Sequence, residues 1–132
     1  MSGRSTFGGV AGWPDGRRFA GVLQRDRFTY LESQQEKGTI YGLEMEVPFE
    51  LYGTTGEVVA LYRADAVYHL ASDDRRVVES VTRMRRDEET GEAKPLSTPE
   101  VSLVRRMFES QYSTRIHLVT EANLTLLPQR LH

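Results

Sequence analysis

The chain has no cysteine. That excludes disulfide stapling, thiolate nucleophiles and Cys-ligated zinc or iron–sulfur centres. Lysine is scarce as well, two residues against fifteen arginines. No apolar run approaches the roughly 20 residues that cross a bilayer as a helix. Residues 1–12 lack the basic start and apolar core of a secretory signal, and a cytoplasmic protein with no membrane partner is the plain expectation. A net charge of −2 provides no whole-chain field for nucleic acid or anionic lipid.

What remains is a chain of 132 residues, 39% hydrophobic and 27% charged. That length suits one domain able to bury its own core. No internal repeat or shift of composition divides it. Residues 1–17 read as a flexible or partner-docking leader, because Gly3, Gly8, Gly9, Gly12 and Gly16 are concentrated there and Trp13-Pro14-Asp15-Gly16 is a turn signal. Phe7, Val10 and Trp13 are its large apolar anchors. Residues 18–132 read as a single strand-rich α+β domain.

Phe19–Leu23 and Phe28–Leu31 are short apolar or aromatic runs on either side of a charged turn, and both suggest strands. Gly38 suits a positive φ after Gln34–Lys37. Thr39–Val47 alternates, with Leu43, Met45 and Val47 on one face and Glu44 and Glu46 on the other. Pro48 interrupts that ladder. Val58–Tyr62 is apolar enough for a central strand, and Asp65 is expected to break it before Val67–Leu70. Residues 74–86 admit either a helix or a strand. Their valines favour a long hairpin tipped by Asp87–Glu92 over a helix capped at Ser72–Asp74.

The helical pattern is clearest after Ser97. Ser97 with Glu100 has capping-box spacing, and Thr98 with Pro99 at the first helical position is the rival register. Val101, Val104, Phe108 and Tyr112 mark the inward face, with Leu103 and Met107 beside it. Ile116–Val119 suggests a final strand. Together these elements predict a mostly antiparallel, strongly curved sheet or partly open barrel, packed against at least one helix from the C-terminal half.

Phosphate loops, dinucleotide-binding glycines, nucleophile elbows and zinc-helix motifs are all absent from the sequence, and no catalytic residue is favoured. The one enzyme-like constellation is Glu44, Glu46, Asp65 and His69. Alternating glutamates with a nearby aspartate and histidine could supply oxygen and nitrogen ligands to a divalent metal in a hydrolase or nuclease. The bland account of those glutamates is the wet face of an amphipathic strand. His117 and Glu121 sit roughly 13 Å apart on a straight strand and pair only across a bend.

Arg83, Arg85 and Arg86 form the densest positive stretch, and Asp87, Glu88 and Glu89 follow directly. Such adjoining blocks suit protein binding or self-association better than nucleic acid. Tyr30, Tyr41, Tyr52, Tyr62, Tyr68 and Tyr112 recur through the chain. They suit packing or an interface, or the wall of a small-ligand cavity.

The leading expectation is therefore a noncatalytic interaction or assembly component without a cofactor, contacting partners through Trp13, Arg83, Arg85 and Arg86. The metal-dependent hydrolase and a small-ligand-binding domain are the alternatives.

Overall fold

A computed structural model describes residues 21–128. The leader and its anchor Trp13 lie outside the described residues. The first element is a helix, α1 (Val22–Lys37), which ends at Gly38 with φ 83°. The Gly38 amide donates to the Gln35 carbonyl and the Thr39 amide to that of Gln34. A left-handed cap of this kind requires no Cβ.

The strands expected at Phe19–Leu23 and Phe28–Leu31 are corrected by this helix as far as they fall within it. Its buried residues are Arg27, Phe28 and Leu31. One of the three is an arginine, so hydrophobic periodicity leaves almost no trace of the inward face.

Two long strands follow, β1 (Ile40–Tyr52) and β2 (Val58–Leu70), then β3 (Arg76–Val81). A small hairpin of β4 (Met84–Arg86) and β5 (Ala93–Pro95) forms its own two-stranded sheet. Helix α2 (Pro99–Tyr112) leads into β6 (Ile116–Val119) and a short 3-10 turn over Glu121–Asn123. Residues 74–86 thus hold strand rather than helix, interrupted between Val81 and Met84.

The main sheet has the order β1-β2-β3-β6. Its first three strands are antiparallel neighbours, whereas β6 runs parallel to β3. The expected antiparallel, strongly curved sheet or partly open barrel is therefore wrong. The sheet has four strands, is mixed, and neither closes into a barrel nor curls strongly. The physical reason is the return of the chain through α2: a parallel neighbour cannot be made by a tight turn and needs a crossover. That connection puts β6 at the edge opposite β1.

Pro48 does not end β1, which is an edge strand with one ladder partner, a position where proline is tolerated. Asp65 does not break β2 either.

Helix α2 takes the Thr98 register. The Thr98 hydroxyl accepts the Val101 amide at 3.2 Å, with Pro99 opening the helix. Phe108 is its buried anchor, whereas Val101 and Leu103 are exposed.

Two cores lie on opposite faces of the sheet. On the α2 side, Phe49, Leu51, Tyr62, Ala64, Val67, Val78 and Phe108 pack together. Rings stack there edge to face, with Phe49 and Phe108 centroids 4.9 Å apart. On the α1 side, Leu31, Ile40, Ala66, Tyr68, Leu70 and Val77 form the second core.

Candidate functional site

Even-numbered residues of β2 should share one face. Tyr62 and Ala64 pack on the α2 side, yet Ala66, Tyr68 and Leu70 pack on the α1 side. The same slip occurs on β1, where Val47, Phe49 and Leu51 join the α2-side core and Leu43 the α1-side one. Both strands change faces at Glu46 and Asp65, between the paired positions Met45↔Ala66 and Val47↔Ala64. Glu46 takes a left-handed φ of 51° there, a conformation that non-glycine residues adopt at a cost.

The same point is a fork. The ladder between β2 and β3 covers Ala66–His69 only, so residues 58–65 of β2 continue without β3 beside them. Asp65 fills the crotch, accepting the Val81 amide at 2.7 Å. Gln24 of α1 donates to the Val81 carbonyl at 3.3 Å. Around them lies a cavity of about 110 Å³, lined by Gln24, Arg27, Glu46, Arg63, Asp65 and Val81 among others.

Burial pushes the Asp65 carboxyl up to about 6. The Val81 amide and the Arg105 charge oppose that shift, and Glu46 and Glu79 add to it. A carboxyl in that range exchanges protons near neutral pH.

Arg27, which lines the cavity, belongs to a buried ion pair. Arg27 Nε and Nη2 donate to the two Glu79 carboxylate oxygens at 2.9 and 2.6 Å, and both side chains are at most 1% exposed. The Tyr68 hydroxyl donates to the same carboxylate through a short hydrogen bond. Arg27 Nη1 also reaches the Leu124 and Leu126 carbonyls at 2.7 and 2.8 Å. Burial opposes the Arg27 charge, but Glu79 outweighs it and the Arg27 pKa rises. Burial, reinforced by Glu79, also raises that of Tyr68. The network ties α1 and β3 to the C-terminal segment.

Of the four proposed metal ligands, the structure brings only Glu46 and Asp65 to one cavity. Glu44 is exposed, opposite Val67. His69 lies four residues along β2 and stacks on Tyr41 with ring centroids 5.0 Å apart. Among the described residues no group of three or more His, Asp or Glu side chains is placed to hold a metal ion. His117 and Glu121 do not pair; the Glu121 carboxylate accepts the Met84 amide at 3.0 Å. Burial lowers the His117 pKa.

Arg83, Arg85 and Arg86 are exposed on or beside β4, and Arg86 donates to the Gly91 carbonyl across its own hairpin at 2.6 Å. The Arg27–Glu79 pair does not stand out in the sequence. Its available signal was the lone glutamate in Val77-Val78-Glu79-Ser80-Val81, since a charge inside an apolar strand needs a buried partner.

Among the described residues the fork also leaves apolar surface bare. Beyond Asp65 the β1–β2 arm carries α2 on one face, and Tyr52, Val59 and Leu61 stay outside the core beneath that helix. With Val58 at the arm's end, these residues are 42–54% exposed. No described helix is long and apolar enough to cross a membrane. Neither a family model, nor a curated protein, nor a solved structure matches the chain.

Proposed function

We propose that the chain is a noncatalytic assembly component whose β1–β2 arm receives the leader of a second copy. The observation that carries this reading is the bare apolar face of the arm, Tyr52, Val59 and Leu61 with Val58. Contiguous exposed apolar surface of this kind marks interaction sites.

The occupant follows from chain geometry and sequence. Helix α1 begins at the fork, where Gln24 meets Val81, so the chain enters the described fold at the margin of the bare face. The preceding residues contain Phe7, Val10, Trp13 and Phe19, which are the apolar partners such a face needs. Exchange of a terminal segment between identical chains is a low-cost route to a dimer. Trp13 acts as the anchor, while Arg83, Arg85 and Arg86 supply a separate polar contact to acidic groups.

Size-exclusion chromatography with absolute mass measurement tests this on the full chain. The intact protein should be a dimer, and Trp13→Ala and Val59→Asp should each shift it toward monomer. Glutamine at positions 83, 85 and 86 should weaken it less. A monomeric intact chain, or a dimer indifferent to both Trp13→Ala and Val59→Asp, overturns the reading.

One observation favours a second reading, hydrolysis assisted by a divalent ion: Asp65 and Glu46 share the fork cavity. Two carboxylates with water can hold magnesium or manganese. Calorimetric titration with manganese should then give heat that Asp65→Asn abolishes; no heat in the unaltered chain removes this alternative.

A further inference from the structure

The free side of β2 and helix α2 border a second cavity of about 310 Å³ that opens to solvent. Leu61, Val101 and Val104 wall it with apolar surface, Arg63 and Glu100 stand at its lining, and Tyr62, Ser80 and Arg105 are its other polar members. Tyr62 and Ser80 are buried, at 5% and 6% exposure.

The hydrogen-bonding inventory of these three residues does not balance. Arg105 Nε is buried without a hydrogen-bond partner among the described residues, and the buried Tyr62 hydroxyl makes no close hydrogen bond there beyond the influence of the Ser80 side chain. Arg105 Nη2 donates to Ser80 Oγ at 3.4 Å, which occupies a lone pair of that hydroxyl and leaves its proton free. Among the described residues these three donors, two O–H groups and one N–H, thus have only the two hydroxyl oxygens to share as acceptors. Turning one hydroxyl toward the other uses a single proton and still leaves two donors. Buried donors left unmatched cost free energy, and here the missing complement is an oxygen acceptor with negative charge to face the guanidinium.

We propose that this cavity binds a small oxyanion carried on a short branched apolar body, a carboxylate or a phosphate. The oxyanion takes the Tyr62 and Ser80 hydroxyls and the Arg105 guanidinium, and the body rests on Leu61, Val101 and Val104. The cavity lies at the low end of the volumes that small-molecule sites occupy, which suits a small ligand. The Asp65 and Glu109 charges act on Tyr62 against that of Arg105, and Glu100 lines the site, so the Arg105 contact has to outweigh their repulsion of the anion.

Titration calorimetry on the full chain, with isovalerate, inorganic phosphate and 3-methylbutan-1-ol as separate probes, distinguishes the sources. Heat with isovalerate but not phosphate identifies a carboxylate with an apolar tail. Heat with phosphate alone identifies a phosphate group. The alcohol has the same body without the charge and should not bind.

Tyr62→Phe keeps the ring that packs on Phe108 and should weaken binding about 5–10-fold, and Arg105→Gln by more than about 10-fold. Circular dichroism of both variants checks that they fold. Absence of heat with both anions at about 10 mM, equal binding of the alcohol, or affinity unchanged in both folded variants overturns the proposal. The dimer test above has an independent readout, so either idea can fail alone.

Discussion

Arg27 and Glu79 stand 52 residues apart in the chain and meet in a two-pronged contact at which neither is more than 1% exposed. The pair joins the first helix to the third strand. Its net value is small, because two charges have left water to form it. Its specificity is large, since only one register of α1 against β3 satisfies both carboxylate oxygens.

Removing one partner should therefore be far more damaging than removing both. Glu79→Gln or Arg27→Met should each lower the unfolding free energy by about 3–5 kcal/mol. The double replacement Arg27→Met with Glu79→Leu should recover much of that loss. Urea denaturation of the three variants measures it, and an additive double mutant would show that the charges do not need one another.

Asp65 makes stability depend on pH in the less common direction. Its folded-state pKa, about 6, lies above the unfolded value near 3.9, so the folded protein keeps its proton longer than the unfolded chain. This contribution is fully present below about pH 4 and is lost as pH rises through 6, amounting to about 3 kcal/mol. Asp65→Asn retains an oxygen for the Val81 amide and should be stabilising relative to the unaltered chain at pH 8 and nearly neutral at pH 4. Thermal melts at the two pH values decide this; an equal effect at both contradicts the burial argument.

The start of α2 offers a test of capping register. Thr98→Ala should cost about 1 kcal/mol, whereas Ser97→Ala should stay within about 0.5 kcal/mol. Among the described residues Ser97 bonds only the Ser102 hydroxyl and the Thr98 carbonyl, both exposed contacts. Equal losses by chemical denaturation would mean that the capping box forms instead.

On the inner face of that helix, Phe108→Ala should cost about 3–5 kcal/mol, since the ring packs against Phe49, Tyr62 and Tyr112. Leu103→Ala, on an exposed position, should change the unfolding midpoint little. The same denaturation experiment separates the two.

The helix after Ser97 was legible because its pattern is local: a cap, a proline and apolar residues three and four apart. Helix α1 was not, since its inward face includes an arginine whose partner lies in a distant strand. Glu46 and Asp65 could be read as candidate site residues. Their convergence could not, because strict alternation extrapolated along β1 and β2 cannot foresee a face change at both strands together. Glu44 and His69 were grouped with them by spacing alone. The parallel placement of β6 is a property of the crossover through α2, and no short-range pattern encodes it.

The face change at Glu46 and Asp65 determines where the chain can vary in length. Each long strand serves one core before that point and the other after it. Inserting or deleting one residue on either side would turn a whole half-strand inside out. The tip at residues 53–57 and the β4–β5 loop carry no such constraint. Insertions acceptable to this fold should therefore collect at those tips, while the two long strands keep their residue count.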